Sequence, residues 1–173
     1  MTRRLETIVG DAIPLNRVPT DARRLLESSL ASLKGQADAF DVALSIGVDA
    51  DVPATVTLDR GKIAWALTAL VGNALRYVRR GSQTMPGGSI AVRASYDEVS
   101  RQVLFQVHDD GPGIPPDRLR SLFSDPADPP GIGLALTMVR DVVAAHGGTL
   151  AIDSRTDGLT RGTTVRFTLP AAA

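Results

Sequence analysis

The apolar stretch Val103 to Val107 runs straight into His108-Asp109-Asp110-Gly111-Pro112-Gly113-Ile114, and this junction constrains the fold more than any other part of the chain. A strand must end there, because Gly111-Pro112-Gly113 forces a tight loop. The junction holds Asp109 at the rim of a sheet, where a ligand can meet its carboxylate. Residues 89 to 96 and 101 to 108 alternate as two strands of a hairpin joined through Asp97 to Ser100.

Around this hairpin the pattern predicts helices and further strands. Leu5, Ile8, Val9, Ala12 and Ile13 form an apolar helical stripe that Pro14 ends. After a linker from Pro14 to Pro19, Thr20 is expected to cap a helix that buries Ala22, Leu25, Leu26, Leu30 and Leu33 and finishes near Gly35. Val42 to Val48 and Ala54 to Leu58 read as strands. Asp59 caps a long helix to about Arg79, with Ile63, Leu67, Leu70, Ala74 and Val78 on one apolar line. Beside that line run Ala66, Ala69, Asn73, Arg76 and Arg80, small at first and then polar. A short helix is expected from Asp117 to Phe123, a third long helix from about Leu134 to His146, and closing strands at Thr149 to Ser154 and Thr163 to Leu169. This order predicts an α+β fold, a two-layer sandwich whose helices lie on one face of a mixed, mostly antiparallel sheet.

Composition narrows the function. Nineteen basic residues balance nineteen acidic ones, which argues against a nucleic-acid binder that works by bulk electrostatics. With no cysteine there is no disulfide, thiolate metal site or cysteine nucleophile. Aromatic residues make up only 4%, too few for a base-stacking surface. No apolar run approaches the roughly 18 residues of a membrane span and no signal peptide is visible, so a cytoplasmic location with no membrane contact within the chain is expected.

Neither common nucleotide fingerprint occurs, so a nucleotide site here must be of another kind. Asn73 offers an amide oxygen, a hard ligand that can join phosphate oxygens around Mg²⁺. An ionised Asp109 accepts hydrogen bonds only, which suits the amino group of adenine and repels the carbonyl of guanine. Gly111 and Gly113 leave room for a base, and Gly131 and Gly133 precede a helix start, where free N–H groups attract phosphate. His108 and His146 are read as structural, Trp65 as packing or partly exposed, and Arg79-Arg80 as a solvated helix end.

Taken together, these elements resemble the histidine kinases. Ala69 to Tyr77 is similar to the N box, Asp109 to Pro115 to the first glycine box, Leu119 to Phe123 to the F box and Gly131 to Leu136 to the second glycine box. Ala145-His146-Gly147-Gly148 and Gly162 to Pro170 resemble the closing segments. The resemblance implies the Bergerat ATP-binding fold shared with gyrase, heat-shock chaperone and mismatch-repair ATPases. By position it implies that Asp109 binds the adenine amino group and Asn73 ligates Mg²⁺, while Arg76, Tyr77, Gly111, Gly113 and Ile114 line the nucleotide and Gly131, Ile132, Gly133 and Leu134 border its phosphates. It further implies residues 1–17 as the end of a dimerisation-type helix plus linker, and 18–173 as the ATP-binding catalytic domain. The partners implied are a histidine-bearing dimerisation domain in cis or in trans and the receiver domain of a response regulator.

The chain departs from that pattern at several positions. Ala69 stands where the family carries the first Asn of the N box, Pro126 where it carries the second Phe of the F box, and Ala135 at the third Gly of the second glycine box. The segment Ser124 to Pro130 contains Asp125 and Asp128 but no Lys or Arg. These departures favour an alternative, a degenerate pseudokinase or phosphotransferase-type relic that docks a response regulator. An anti-sigma serine kinase is the weakest reading, since no acid lies between Gly61 and Gly81 to serve as a base.

Overall fold

A computed structural model describes residues 13–122 and 132–172, with Ile132 described in its backbone alone. The predicted stripe Leu5, Ile8, Val9 and Ala12 lies outside the described residues, as do Phe123, Gly131 and the segment Ser124 to Pro130. The elements are β1 (Val18–Thr20), α1 (Ala22–Ala39), β2 (Ala43–Val48), β3 (Val56–Leu58), α2 (Arg60–Tyr77), β4 (Ser89–Asp97), β5 (Gln102–Asp109), α3 (Pro116–Ser121), α4 (Ile132–Ala145), β6 (Leu150–Arg155) and β7 (Gly162–Pro170).

The five-stranded sheet runs β2-β4-β5-β7-β6. Only β2 and β4 pair in parallel, because the chain between them passes through β3 and α2, a crossover of the length that parallel neighbours require. β5 is the middle strand, paired antiparallel with β4 and β7 along its whole length. Its last residue, Asp109, is therefore fixed on both sides, by Ile90 and by Thr163. Phe105 and Phe167 face each other across β5 and β7 with stacked rings 5.1 Å apart and form the centre of the core with Leu26, Leu30, Ile63 and Leu67. Such an aromatic pair contributes about 1 kcal/mol beyond its buried area.

The expected α+β sandwich is the architecture found, with several boundaries shifted. Thr20 does not cap α1; it ends β1, and the adjacent Asp21 is the cap, accepting from the Arg24 N–H at 3.1 Å. The linker from Pro14 to Pro19 is likewise not irregular throughout, since Val18–Thr20 pairs with Val56–Leu58 in a separate two-stranded sheet. α1 passes Gly35 and continues to Ala39, α2 stops at Tyr77 rather than Arg79, and α4 begins at Ile132. The connection from Gly81 to Gly88 is held at both ends: the Gly81 N–H donates to Phe40 O and the Gly88 N–H to Arg79 O. Nearby, the Arg80 guanidinium lies 3.8 Å over the Phe40 ring.

α2 shows why its two lines of residues differ. Ile63, Leu67, Leu70, Ala74 and Val78 are all buried against the sheet and α1. The neighbouring line runs from buried Ala66 through half-buried Ala69 and Asn73 to exposed Arg76 and Arg80, which carries Asn73 from the core to a cleft mouth.

Candidate nucleotide site

A cleft of about 120 Å³ opens between α2, α3, α4 and the end of the sheet. Leu70, Asn73, Ala74 and Tyr77 enter it from α2 at the spacing of one helix face. Val107 and Asp109 of β5, Thr163 and Val165 of β7, Gly113 and Ile114 of the loop, and Leu136 of α4 complete the wall. The cleft is thus mostly apolar with a few polar groups, the usual make-up of a small-molecule site.

Asp109 is its buried acid. One oxygen, Oδ1, accepts from the Gly111 N–H at 2.9 Å, and no other side chain bonds to the carboxylate among the described residues. Burial pushes its pKa above the ordinary value, and the Gly111 N–H, nearby His108 and the Thr163 backbone offset this only in part. A buried carboxylate with open lone pairs gains by meeting a donor. On α2, Asn73 has a buried amide nitrogen, Nδ2, with no hydrogen-bond partner among the described residues. Such orphaned polar groups are rare in folded proteins, and this one belongs to a residue of the cleft wall.

Glycines set the geometry around Asp109. At Gly162 the backbone has φ +144° and an added Cβ would stand 2.0 Å from the Asp109 carbonyl oxygen, so β7 can begin beside Asp109 only with glycine there. Gly113, at φ +76°, would place a Cβ 2.1 Å from the Arg155 carbonyl oxygen. Its bare α-carbon thus first serves to pack the loop against β6, a role that the sequence pattern does not reveal. The Ile114 N–H then donates to Ser154 Oγ at 2.7 Å and fixes the loop on the same strand.

Of the residues expected at the site, the structure brings Asn73, Tyr77, Asp109, Gly113 and Ile114 together in the cleft wall. Gly111 sits on the far side of the loop, in a neighbouring hollow shared with Tyr77 and Pro112. Arg76 is exposed and is not part of the wall. Gly133 and Leu134 lie in the first turn of α4, Gly133 against the end of α3 and Leu134 at 61% exposure. The backbone of Ile132 opens that helix, whose first N–H groups have no partner within it. Arg118 and Thr163 also line the cleft, though sequence reasoning passes over both. For Arg118 a signal exists, because Pro115, Arg118 and Leu122 recur at i, i+3 and i+7 on one side of a short helix.

Both histidines are hydrogen-bonded within the fold. His108 Nδ1 pairs with Thr164 Oγ1 at 2.8 Å on the outer face of the sheet. His146 is buried; its Nε2 accepts from the Asp59 N–H at 3.0 Å, which leaves Nδ1 to donate to Val142 O at 2.8 Å. Asp59 in turn accepts from the N–H groups of Asn16 and Lys62 and from the Lys62 ammonium. Burial pushes the Asp59 carboxyl up, but these hydrogen bonds outweigh it and hold its pKa below the ordinary value.

No group of three or more His, Asp or Glu side chains among the described residues could hold a metal. A cation at Asn73 would need further oxygens from a bound molecule, the usual way in which Mg²⁺ arrives with a nucleotide.

Residues 58–173 match the family model described as histidine kinase-, DNA gyrase B- and HSP90-like ATPase. The adaptive-response sensory kinase SasA of Synechococcus sp. (strain JA-3-3Ab) is 30% identical over 96% of this chain and 43% of its own length. The histidine-protein kinase/phosphatase MprB of Mycolicibacterium smegmatis is 32% identical over 89% of this chain and 32% of its own. The chain therefore spans less than half the length of these relatives. Among solved structures, the catalytic domain of the histidine kinase ThkA superposes with a TM-score of 0.75 at 21% identity, covering 91% of this chain and 97% of that one. Full-length ShkA in complex with AMPPNP gives 0.75 at 27% identity, covering 94% of this chain and 33% of that one.

Proposed function

This chain belongs to the histidine kinase-, DNA gyrase B- and HSP90-like ATPases, and on that premise we propose that it is the ATP-binding catalytic domain of a two-component sensor histidine kinase. In this reading it transfers the γ-phosphoryl of ATP to a histidine supplied by another domain or chain, and residues 1–17 are the end of a dimerisation-type helix plus linker. The observation that carries the proposal is the pair of unfinished polar groups facing one apolar cleft: the buried Asp109 carboxylate and the orphaned Asn73 amide.

Asp109 receives the adenine amino group, while Ile114, Leu70, Val107 and Leu136 sandwich the base in apolar surface. Tyr77 flanks the nucleotide at the end of α2. Asn73 would hold Mg²⁺ through its amide oxygen jointly with the phosphates, and the ion would supply charge neutralisation. The first turn of α4, from Ile132 through Gly133 and Leu134, offers N–H groups to the phosphate chain, with Gly131 just before it. Phosphoryl transfer breaks the bond from the γ-phosphorus to the bridging oxygen of ADP and forms one to the acceptor nitrogen. It asks the domain for positioning and charge complementarity, not for a nucleophile of its own.

No helix among the described residues is long and apolar enough to cross a membrane, and we place the domain in the cytoplasm, where ATP and a response regulator receiver domain are available. Ala69 and the absence of Lys and Arg from Ser124 to Pro130 support a second reading, a docking module that has lost phosphotransfer. Calorimetric titration with a non-hydrolysable ATP analogue, with and without Mg²⁺ and against a GTP analogue, separates the two. Adenine-selective binding strengthened by Mg²⁺ is expected of the kinase domain. Absence of binding at millimolar nucleotide would leave the docking reading.

A further inference from the structure

A nucleotide in this cleft brings negative charge that some side chain must meet, and the identity of that side chain rests on the cleft being an ATP site. Among the described residues, two charged ones line it, Asp109 and Arg118. Arg118 is carried by α3 on the side shared with Pro115 and Leu122, which also line the cleft, whereas Arg120 is paired with Asp117. Arg118 itself is exposed, and its guanidinium has no hydrogen bond or ion pair among the described residues. Other cations nearby are committed or stand elsewhere. Arg79 donates to Pro86 O, Arg161 lines the neighbouring hollow with Arg79 and not this cleft, and Arg76 is no part of the wall. From Phe123 to Gly131, the stretch that joins α3 to α4, the sequence carries no Lys or Arg.

We propose that Arg118 is the cation of this cleft, binding the phosphate chain of the adenine nucleotide from the α3 side. A guanidinium presents two parallel N–H donors to phosphate oxygens. The sequence therefore compensates for its cation-free 123–131 segment by placing the charge one helix earlier.

The test uses the whole 173-residue chain. Adenosine, ADP and a non-hydrolysable ATP analogue are titrated into the wild type, Arg118→Ala, Arg118→Lys and Asp109→Asn, and unliganded melting of each variant is followed in parallel. Arg118→Ala should weaken the ATP analogue about tenfold or more, the loss expected for a charge-assisted hydrogen bond, and should leave adenosine unchanged. Arg118→Lys should restore part of the loss, and added salt should narrow the gap between wild type and Arg118→Ala. Asp109→Asn should weaken adenosine and the ATP analogue alike. An equal loss for adenosine and the ATP analogue in Arg118→Ala, or no loss for either, overturns the assignment while the ATP site itself stands. A wild type that binds none of the three compounds overturns the ATP site and this proposal with it.

Discussion

Two buried aspartates stand near opposite ends of the helical layer, and their contrast separates what holds this protein together from what it is built to do. Asp59 caps α2 and is fully engaged, with three donors from Asn16 and Lys62. Asp109 ends β5 with its carboxylate met only by backbone, the Gly111 N–H at 2.9 Å and, more weakly, Thr163. Their pKa values are displaced in opposite directions, Asp59 below the ordinary carboxylate value and Asp109 above it. A satisfied carboxylate stabilises the fold, whereas one left short of donors in an apolar wall is a cost that a ligand relieves.

If that contrast holds, its largest consequence is at Asp109. Asp109→Asn should lower affinity for an ATP analogue by about a hundredfold, close to 2.7 kcal/mol, because the amide nitrogen opposes the adenine amino group. The same variant should keep or raise the unliganded midpoint in urea, and a fall of more than about 1 kcal/mol would make Asp109 a structural residue instead. Asp59→Ala should do the reverse, costing about 2 kcal/mol of stability through the lost cap and the stranded Asn16 N–H, with nucleotide affinity of the folded protein changed by less than about threefold.

The pH dependence sharpens the comparison. Asp109 has a raised pKa in the fold, so its contribution is most favourable below the unfolded carboxylate value and is lost as pH rises through the folded one. Asp59 has a lowered pKa, so its contribution is present above the ordinary range and disappears as pH falls through its folded value. Urea midpoints of wild type and Asp109→Asn, measured from about pH 4 to 7, should therefore diverge in favour of the variant as pH rises. The corresponding difference for Asp59→Ala should shrink only on the acid side. The smallest effect is expected at Arg76, where replacement by Ala should change ATP-analogue affinity by less than about threefold, since the cleft is walled without it. A larger loss would place Arg76 against the nucleotide.

The sequence is most informative wherever a local rule acts alone. Asp59 as cap and the line Ile63, Leu67, Leu70, Ala74 and Val78 define α2 from spacing, and the break after Val107 locates Asp109 at the sheet rim. Between Thr20 and Asp21 two good caps stand side by side, and only the pairing of Thr20 with Val56 decides that the second is used. The Asp59–His146 contact joins residues 87 apart, and no local pattern encodes it. Arg76 is expected at the nucleotide only through the N-box resemblance, and in the fold its side of α2 has left the core and reached solvent. Arg118 is easily overlooked because charge is expected in the segment after it, where it is missing.

The attachments around Asn16 and Arg17 also make this molecule a mechanical object. Asn16 is tied to Asp59 at the start of α2, Arg17 Nη2 donates to Ala145 O at the end of α4, and Val18–Thr20 is zipped to Val56–Leu58. A load applied to the chain ahead of Asn16 thus reaches two helices at once, and the short ladder, pulled along its own axis, meets it in shear. The anchorage lies at the ends of α2 and α4 opposite to those that carry Tyr77 and Gly133.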